Sequence, residues 1–403
     1  MILIINHRKA KLNKMIEVKN YSAKNGDAFL VRTSPNRFAM LIDGGYVETF
    51  QQYIKPDLLE LAATGYVLDL VVATHVDADH ILGLLSFFQQ NCRSDTPTII
   101  PVHQVFHNSL RSLMTSPNGQ KMMRKDDLEL LREIRWRGYS LQKNVIQLEH
   151  EISARQGNSL ARLLKEGGYK WNQGTGTKPI GGAGLADFYF PNAKVKILGP
   201  NQIRLEALKK WWIAEIRRLG LVGFLNFLEE LDDVFEFLCS HEIPNLCEQL
   251  LSSSDADLEQ LYLPDNSVTN GSSISLIVAA EGRQLLFLGD SWAEDIVTAL
   301  TPGEPTIFDA VKISHHGSIH NTSPDLLSLV DSPHFFISTN GDAHNHPDFA
   351  VLKAIVDRPA NFRRTLHFNY STSVSRKLSS YQSKAGADFV VVDDQNEWIA
   401  INS

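Results

Sequence analysis

Cysteine is scarce in this 403-residue chain: Cys92, Cys239 and Cys247 are too few and too scattered for a disulfide framework or a thiolate zinc site. A reducing, cytoplasmic setting is the simplest expectation. Long apolar runs are missing as well. The early stretch 2–5 is far short of a signal-peptide core or a membrane span, and basic and polar residues follow at once, so neither secretion nor membrane anchoring is expected. Nor is there a basic coat. With 39 Lys and Arg against 46 Asp and Glu, the formal net charge of −7 excludes a uniformly phosphate-binding surface, although a local basic groove remains open. What is present, 43% hydrophobic and 21% charged residues, suits a soluble chain with a large core in one domain or two.

Strand-like sequence begins near Met15, so the residues before it read as an extension that adds little to the fold. Short β segments at 16–21, 28–33 and 38–42 follow, the last stopping at Asp43-Gly44-Gly45. Residues 53–64 have helical spacing, 68–73 form a near-continuous apolar strand, and Leu82, Leu84, Leu85, Phe87 and Phe88 predict a helix, with a return to strand at 98–102. From 108 to 164 and from 202 to 263 the spacing is helical. A Gly-rich stretch at 167–184 and one returning strand near 194–198, ended by Gly199-Pro200, lie between. Strands resume at 273–279, 284–288, 310–314, 335–338 and 389–392. The expected organisation is a β-rich α/β half at 15–104, a mostly helical insertion at 105–264 and a second half at 265–403.

The chemistry concentrates at strand ends. Strand 68–73 delivers Thr74, and then His75-Val76-Asp77-Ala78-Asp79-His80 places two imidazoles and two carboxylates on one short loop before a helix. Neutral imidazole and carboxylate oxygen suit Zn²⁺ or Mn²⁺, and alternate residues of an extended loop can serve two centres. Two later strands end alike, 285–288 at Gly289-Asp290 and 311–314 at His315-His316-Gly317-Ser318. The loop His344-Asn345-His346-Pro347 follows strand 335–338. Layered α/β proteins gather active sites at such ends.

These motifs resemble the metallo-β-lactamase fold, and especially the hydrolase-like domain of bacterial DNA-uptake competence proteins. The likeness covers roughly 16–104 and 265–350, and it implies a four-layer αββα sandwich carrying the helical insertion. Residue by residue, it makes Asp43 the aspartate that braces the metal loop, 74–80 the histidine-rich second motif, and Asp290 the carboxylate bridging both metals. Either His315 or His316 supplies the final histidine ligand, with His315 favoured as nearer the strand. Two departures stand out. Asp77 occupies a position where histidine is commoner, as in the competence-type branch, and Asn270-Gly271-Ser272-Ser273 stands where many members supply a histidine. The implied first site is His75, Asp77 and Asp290, an oxygen-rich set. The second is Asp79, His80 and His315.

The resemblance implies a binuclear metal-dependent hydrolase holding two divalent ions, Zn²⁺ favoured and Mn²⁺ the alternative, and attacking with a metal-bridging hydroxide. A phosphodiesterase or nuclease acting on nucleic acid or another phosphodiester is the leading expectation. Asp79 and His346 take catalytic roles in it, while Ser318 and Asn321 donate hydrogen bonds to an anionic substrate. The alternatives are hydrolysis of a smaller ester, cyclic nucleotide or lactam, and a metal-poor regulatory subunit that docks a protein partner through the insertion. Within the insertion, Arg124, Lys125, Arg132, Arg135 and Arg137 surround Trp136, and Lys209, Lys210, Arg217 and Arg218 flank Trp211-Trp212. Glu129, Glu133 and Glu215 interleave, so these read more readily as wet faces of amphipathic helices than as a nucleic-acid grip. His103 and His107 read as packing residues.

Overall fold

The computed structural model describes residues 14–114, 124–141, 159–183, 186–222, 229–240, 256–300, 306–342 and 346–401. The expected N-terminal extension, Cys247, His344 and the side chains of Arg135, Trp136 and Arg137 lie outside the described residues. In chain order the strands of the two large sheets are β1 (Met15–Asn20), β2 (Phe29–Ser34), β3 (Ala39–Ile42), β4 (Leu70–Val72), β5 (Val105–Phe106), β6 (Asp187–Phe190), β7 (Ala193–Gly199), β8 (Ser275–Ala280), β9 (Arg283–Phe287), β10 (Ala310–Lys312), β11 (His334–Ile337), β12 (Arg364–Phe368), β13 (Phe389–Val392) and β14 (Ile399–Ala400). The helices used below are α1 (Lys55–Ala63), α2 (Ala78–Asn91), α3 (Leu110–Leu113), α4 (Lys125–Leu141), α5 (Leu160–Glu166), α6 (Gln202–Arg218), α7 (Glu229–Cys239), α8 (Ala293–Leu300), α9 (Pro324–Leu329) and α10 (Phe349–Val356).

The first sheet has the order β14-β1-β2-β3-β4-β5 and the second β13-β12-β11-β10-β9-β8-β7-β6. Successive strand residues face opposite sides, and here both sides are apolar. Phe29, Val31, Met40, Ile42, Leu70 and Val72 point from the first sheet toward Val195, Leu276, Leu285 and Phe287 of the second. Their alternates Leu30, Leu41 and Val71 instead join the α2 residues Leu84, Phe87 and Phe88 in an outer core. On the second sheet Leu286, Val311 and Ile337 pack under Ile296 of α8, Leu326 of α9 and Leu352 of α10. Two sheets with helices on both outer faces give the αββα sandwich.

Close backbone contact fixes where α2 begins. A Cβ on Gly83 would stand 1.9 Å from the Gly44 carbonyl oxygen, so only glycine lets the loop after β3 lie against the helix. Corrections to the expected elements have equally local causes. No strand forms at 98–102: Pro101 lacks an N–H, and the Ile99 and Ile100 amides donate to Asn91 Oδ1, so pairing there is limited to an isolated bridge of Val102 with Leu68 before β5. The single returning strand is a hairpin, β6 with β7, on the edge of the second sheet. Strands β12 and β14 were not foreseen. Arg364 at the start of β12 hides its apolar spacing, and β14 has only two residues.

The helices of the middle segment share the outer core of the first sheet through Leu131, Leu160, Trp212, Leu231 and Phe235. Trp212 is fully buried whereas Lys210, Arg217 and Arg218 are exposed and Arg218 pairs with Glu215, so this basic cluster is the wet face of α6. Acidic side chains of α7 hold neighbouring chain ends. Asp232 accepts from the Arg111 amide (3.0 Å), while Glu236 accepts from the Leu160 and Ala161 amides at the start of α5 and pairs with His107 Nε2 at 2.9 Å. His107 also stacks on Trp171, as the packing reading expected, whereas His103 is largely exposed and does not pack, because it follows Val102 on the solvent side of the chain.

Burial, with the Glu236 charge adding to it, pushes the Asp232 carboxyl up to about 7. A folded-state value above the unfolded one near 3.8 means that ionisation costs stability, progressively from about pH 4 to pH 7. Asp232→Asn keeps an oxygen for the Arg111 amide and removes that cost. Its Tm relative to the native protein is therefore expected to rise across this window, by an amount equivalent to roughly 2–4 kcal/mol. A pH-independent difference in thermal melts would disprove the account.

Candidate metal centre

All the chemistry sits at one end of the two sheets, where β3, β4, β9 and β10 terminate. Asp43, one residue past β3, is buried in the left-handed region at φ 55°, which aspartate tolerates better than most residues. Its Oδ1 accepts from the Thr74 amide (2.8 Å), and its Oδ2 accepts from Thr74 Oγ1 (2.7 Å) and lies 2.9 Å from His80 Nδ1. This carboxylate ties the start of the loop to the end of β3. It also leaves Nε2 of His80 to face inward.

The same division recurs at three more imidazoles. His75 Nδ1 meets Thr74 Oγ1 at 3.1 Å, His315 Nδ1 meets Asn321 Oδ1 at 2.8 Å, and His316 Nδ1 donates to the Ser338 carbonyl at 2.7 Å. Every Nε2 then points toward one atom, Asp290 Oδ2: 3.4 Å for His80, 3.9 Å for His75, and 3.8 Å for both His315 and His316. Adjacent residues of a strand would send their rings apart. His315 and His316 converge because both have positive φ, 43° and 56°, a costly backbone choice for two successive side-chain-bearing residues.

Asp79 closes the cluster, with Oδ2 at 3.7 Å from His316 Nε2 and Oδ1 at 3.9 Å from His80 Nε2. Asn25 Nδ2 donates to Asp79 Oδ2 (3.0 Å), and the Tyr46 hydroxyl donates in turn to Asn25 Oδ1 (2.9 Å). The turn carrying Asn25 passes so near that a Cβ on Gly26 would lie 1.9 Å from the Asp79 carbonyl oxygen. Neither Asn25 nor Tyr46 belongs to a motif, and nothing in their sequence context marks them.

The donor set fits divalent cations. His75 Nε2, His80 Nε2 and Asp290 Oδ1 are buried without a hydrogen-bond partner, each a cost of about 1–3 kcal/mol that metal ligation or charge compensation removes. Ligand atoms lie within 4.8 Å of one another in the groups His75, His80, Asp290; Asp79, His80, His316; and Asp290, His315, His316. The electrostatics point the same way. Burial, reinforced by His80, drives the His75 imidazole down to about 3. Burial also opposes charge on His316, but Asp290 and Asp27 overcome it and hold His316 up at about 10. For Asp79, burial is outweighed by His80 and His316, which keep the carboxyl at about 2. The carboxylates thus favour positive charge at His80 and His316.

The placement differs from the expected ligand sets. Asp77 joins none of the described groups: it is the N-cap of α2, and its carboxylate accepts from the Ala78 amide at 2.6 Å. His316 rather than His315 stands with Asp79 and His80, because the double left-handed turn carries it deeper. Ser318 and Asn321 are fully buried with their polar atoms engaged by protein partners, which turns them away from the donor role expected toward a substrate. The Asn321 amide donates to Asp265 Oδ2 and the Asp290 carbonyl while its oxygen holds His315; Ser318 Oγ accepts from the His320 amide. Asn270, at the departure from the family pattern, donates to Asp265 and lies 3.5 Å from His315 Nδ1. His346 is buried, its ring centre 5.1 Å from that of His315.

Two face-to-face sheets, outer helices and a His/Asp centre at the strand ends define the metallo-β-lactamase fold, a metal-dependent hydrolase-like architecture. Residues 22–91 match the metallo-beta-lactamase superfamily. The chain is also similar to Zn²⁺-bound PqqB from Methylobacterium extorquens, at 11% identity and a TM-score of 0.35 over 95% of this chain and 99% of that one. No curated protein gives a significant match. No helix among the described residues is long and apolar enough to cross a membrane.

Asp43→Ala releases His80 Nδ1 and the Thr74 loop together. Zn²⁺ binding, measured by competition with a chromophoric chelator, is expected to weaken by about 10–100-fold. Unchanged affinity would remove Asp43 from the support of the centre.

Proposed function

We propose that this protein is a binuclear metal-dependent hydrolase of phosphodiester bonds, in nucleic acid or in a smaller phosphodiester. The observation that carries the reading is the convergence of four imidazole Nε2 atoms on Asp290 Oδ2. Divalent cations held there, Zn²⁺ or Mn²⁺, would supply Lewis acidity and a water nucleophile near neutral pH. His75, His80, Asp290 and His315 or His316 would hold them, with Asp79 completing the set.

The charge balance favours an anionic substrate. Among the described carboxylates, Asp79 and Asp290 stand in the converging groups, Asp43 backs His80, Asp27 is paired with Lys312, and burial together with Asp79 pushes the Asp77 carboxyl well above its ordinary range, so two divalent ions would still leave an excess of positive charge. A phosphoryl group uses that excess, whereas a neutral lactam or carboxylic ester does not. In hydrolysis water adds to phosphorus, the ester P–O bond breaks, and the proton lost by water ends on the departing alkoxide. His346 is assigned contact with the leaving oxygen or a non-bridging phosphate oxygen. Burial lowers its imidazole below its ordinary 6.5, so at pH 7 it acts as a neutral group.

The test compares native protein with Asp290→Asn for metal content by mass spectrometry and for cleavage of bis-p-nitrophenyl phosphate and single-stranded DNA under added Mn²⁺ or Zn²⁺. About two metals per chain and metal-dependent cleavage are expected in the native protein, with activity falling on the order of 10³-fold and metal lost in the variant. Metal uptake without phosphodiester cleavage would redirect the assignment to a smaller ester, a cyclic nucleotide or a lactam. Absence of both would leave a regulatory subunit that binds a partner.

A further inference from the structure

The two oxygens of Asp290 do not share one environment. Oδ2 faces the four imidazoles, whereas Oδ1 lies 3.6 Å from the ammonium of Lys312. Lys312 ends β10, a strand flanked on both sides by parallel partners, and its side chain is only 1% exposed. Burying an ammonium is expensive unless it is paired and hydrogen-bonded, and this one is both. It forms an ion pair with Asp27 and donates to the Gly289 carbonyl at 2.9 Å. Asp27 comes from the turn before β2, in the other sheet, and its Oδ1 lies 3.4 Å from His316 Nδ1. A closed circuit results, running from Asp290 through Lys312 and Asp27 to His316, so two members of the cluster are tied to one buried ion pair.

We infer that Lys312 and Asp27 are a positioning pair that assigns the oxygens of Asp290, the ammonium retaining Oδ1 so that the carboxylate offers Oδ2 alone to the cations. The inference rests on the metal-centre reading above. Without the ammonium, Oδ1 would be a buried, unpaired anionic oxygen beside a cation, and it would turn to the metal and raise its coordination number. The same pair spans the sheets, so a purely structural role is the competing account, and the two predict different results.

Removing Lys312 alone would strand the buried Asp27 carboxylate, so the informative variant is the doubly neutral Lys312→Met with Asp27→Asn. Native and variant proteins are loaded with Co²⁺, and the visible absorption, the metal dissociation constant and Tm are recorded. The inference expects a folded variant whose Co²⁺ dissociation constant rises about 10–100-fold. Its bound Co²⁺ shows the weaker visible bands of a higher coordination number. A native spectrum and affinity in the variant, whatever its Tm, would overturn positioning and leave a sheet tether. Should the variant not fold, a crystal structure of the Zn²⁺-loaded native protein decides: ligation through Oδ2 alone with Oδ1 on Lys312 supports the inference, and ligation through both oxygens overturns it. Failure of native protein to take up Co²⁺ or Zn²⁺ would remove the centre itself and the inference with it, an outcome distinct from both.

Discussion

Everything at the strand ends is organised by the need to compensate one buried carboxylate. Asp290 stands between two sheets and away from water, where an isolated anion would be very costly. Four imidazoles answer one of its oxygens and an ammonium the other. Each imidazole can do so only because its other nitrogen is occupied, by Thr74, Asp43, Asn321 or the Ser338 carbonyl. The consequence is a set of donors, each oriented by a protein partner of its own. Such preorganisation spares a metal site the cost of ordering its own ligands.

The fold supplies the opposing groups from separate layers. Asp43, His75, Asp79 and His80 follow β3 and β4 of the first sheet, and Asp290, Lys312, His315 and His316 come from β9 and β10 of the second. Dense apolar packing between the sheets, exemplified by Phe29 against Phe287 with ring centres 5.7 Å apart, keeps the two half-sites at fixed separation. The middle helices are secured differently. Carboxylates on α7 satisfy amides at the starts of α3 and α5, so this segment is held by polar contacts as well as by Trp212 and Phe235. Ionisation of Asp232, whose carboxyl burial pushes up to about 7, makes this attachment sensitive to pH.

Much of the centre was legible because its chemistry is dense in sequence. The run 74–80 carries two imidazoles and two carboxylates, and Asp290 and His315-His316 follow apolar strands, so strand ends and ligand types coincided. Roles within the run were not legible. Asp77 and Asp79 are two residues apart on what reads as one loop, yet a helix starts between them and takes Asp77 as its cap. Nor could sequence distinguish His315 from His316, since their convergence depends on two successive left-handed residues. Ser318 and Asn321 read as donors to a substrate, but burial turns Asn321 inward to hold His315. Lys312 left a usable trace, a lone cation inside the apolar strand 310–313. In a central parallel strand, such a residue implies a buried partner.

The sequence by itself determined the layers and the donors: period-two apolar strands, helices with one apolar face, and ligand-forming residues at the points where strands stop. Those features are local, governed by backbone geometry within a few residues. Tertiary structure alone decided which donors meet, which nitrogen of each imidazole faces inward, and that Asp27 and Lys312, 285 positions apart, share a buried charge. These outcomes depend on long-range packing and on the scarcity of water between the sheets, where an unpaired charge is costly enough to dictate its neighbours.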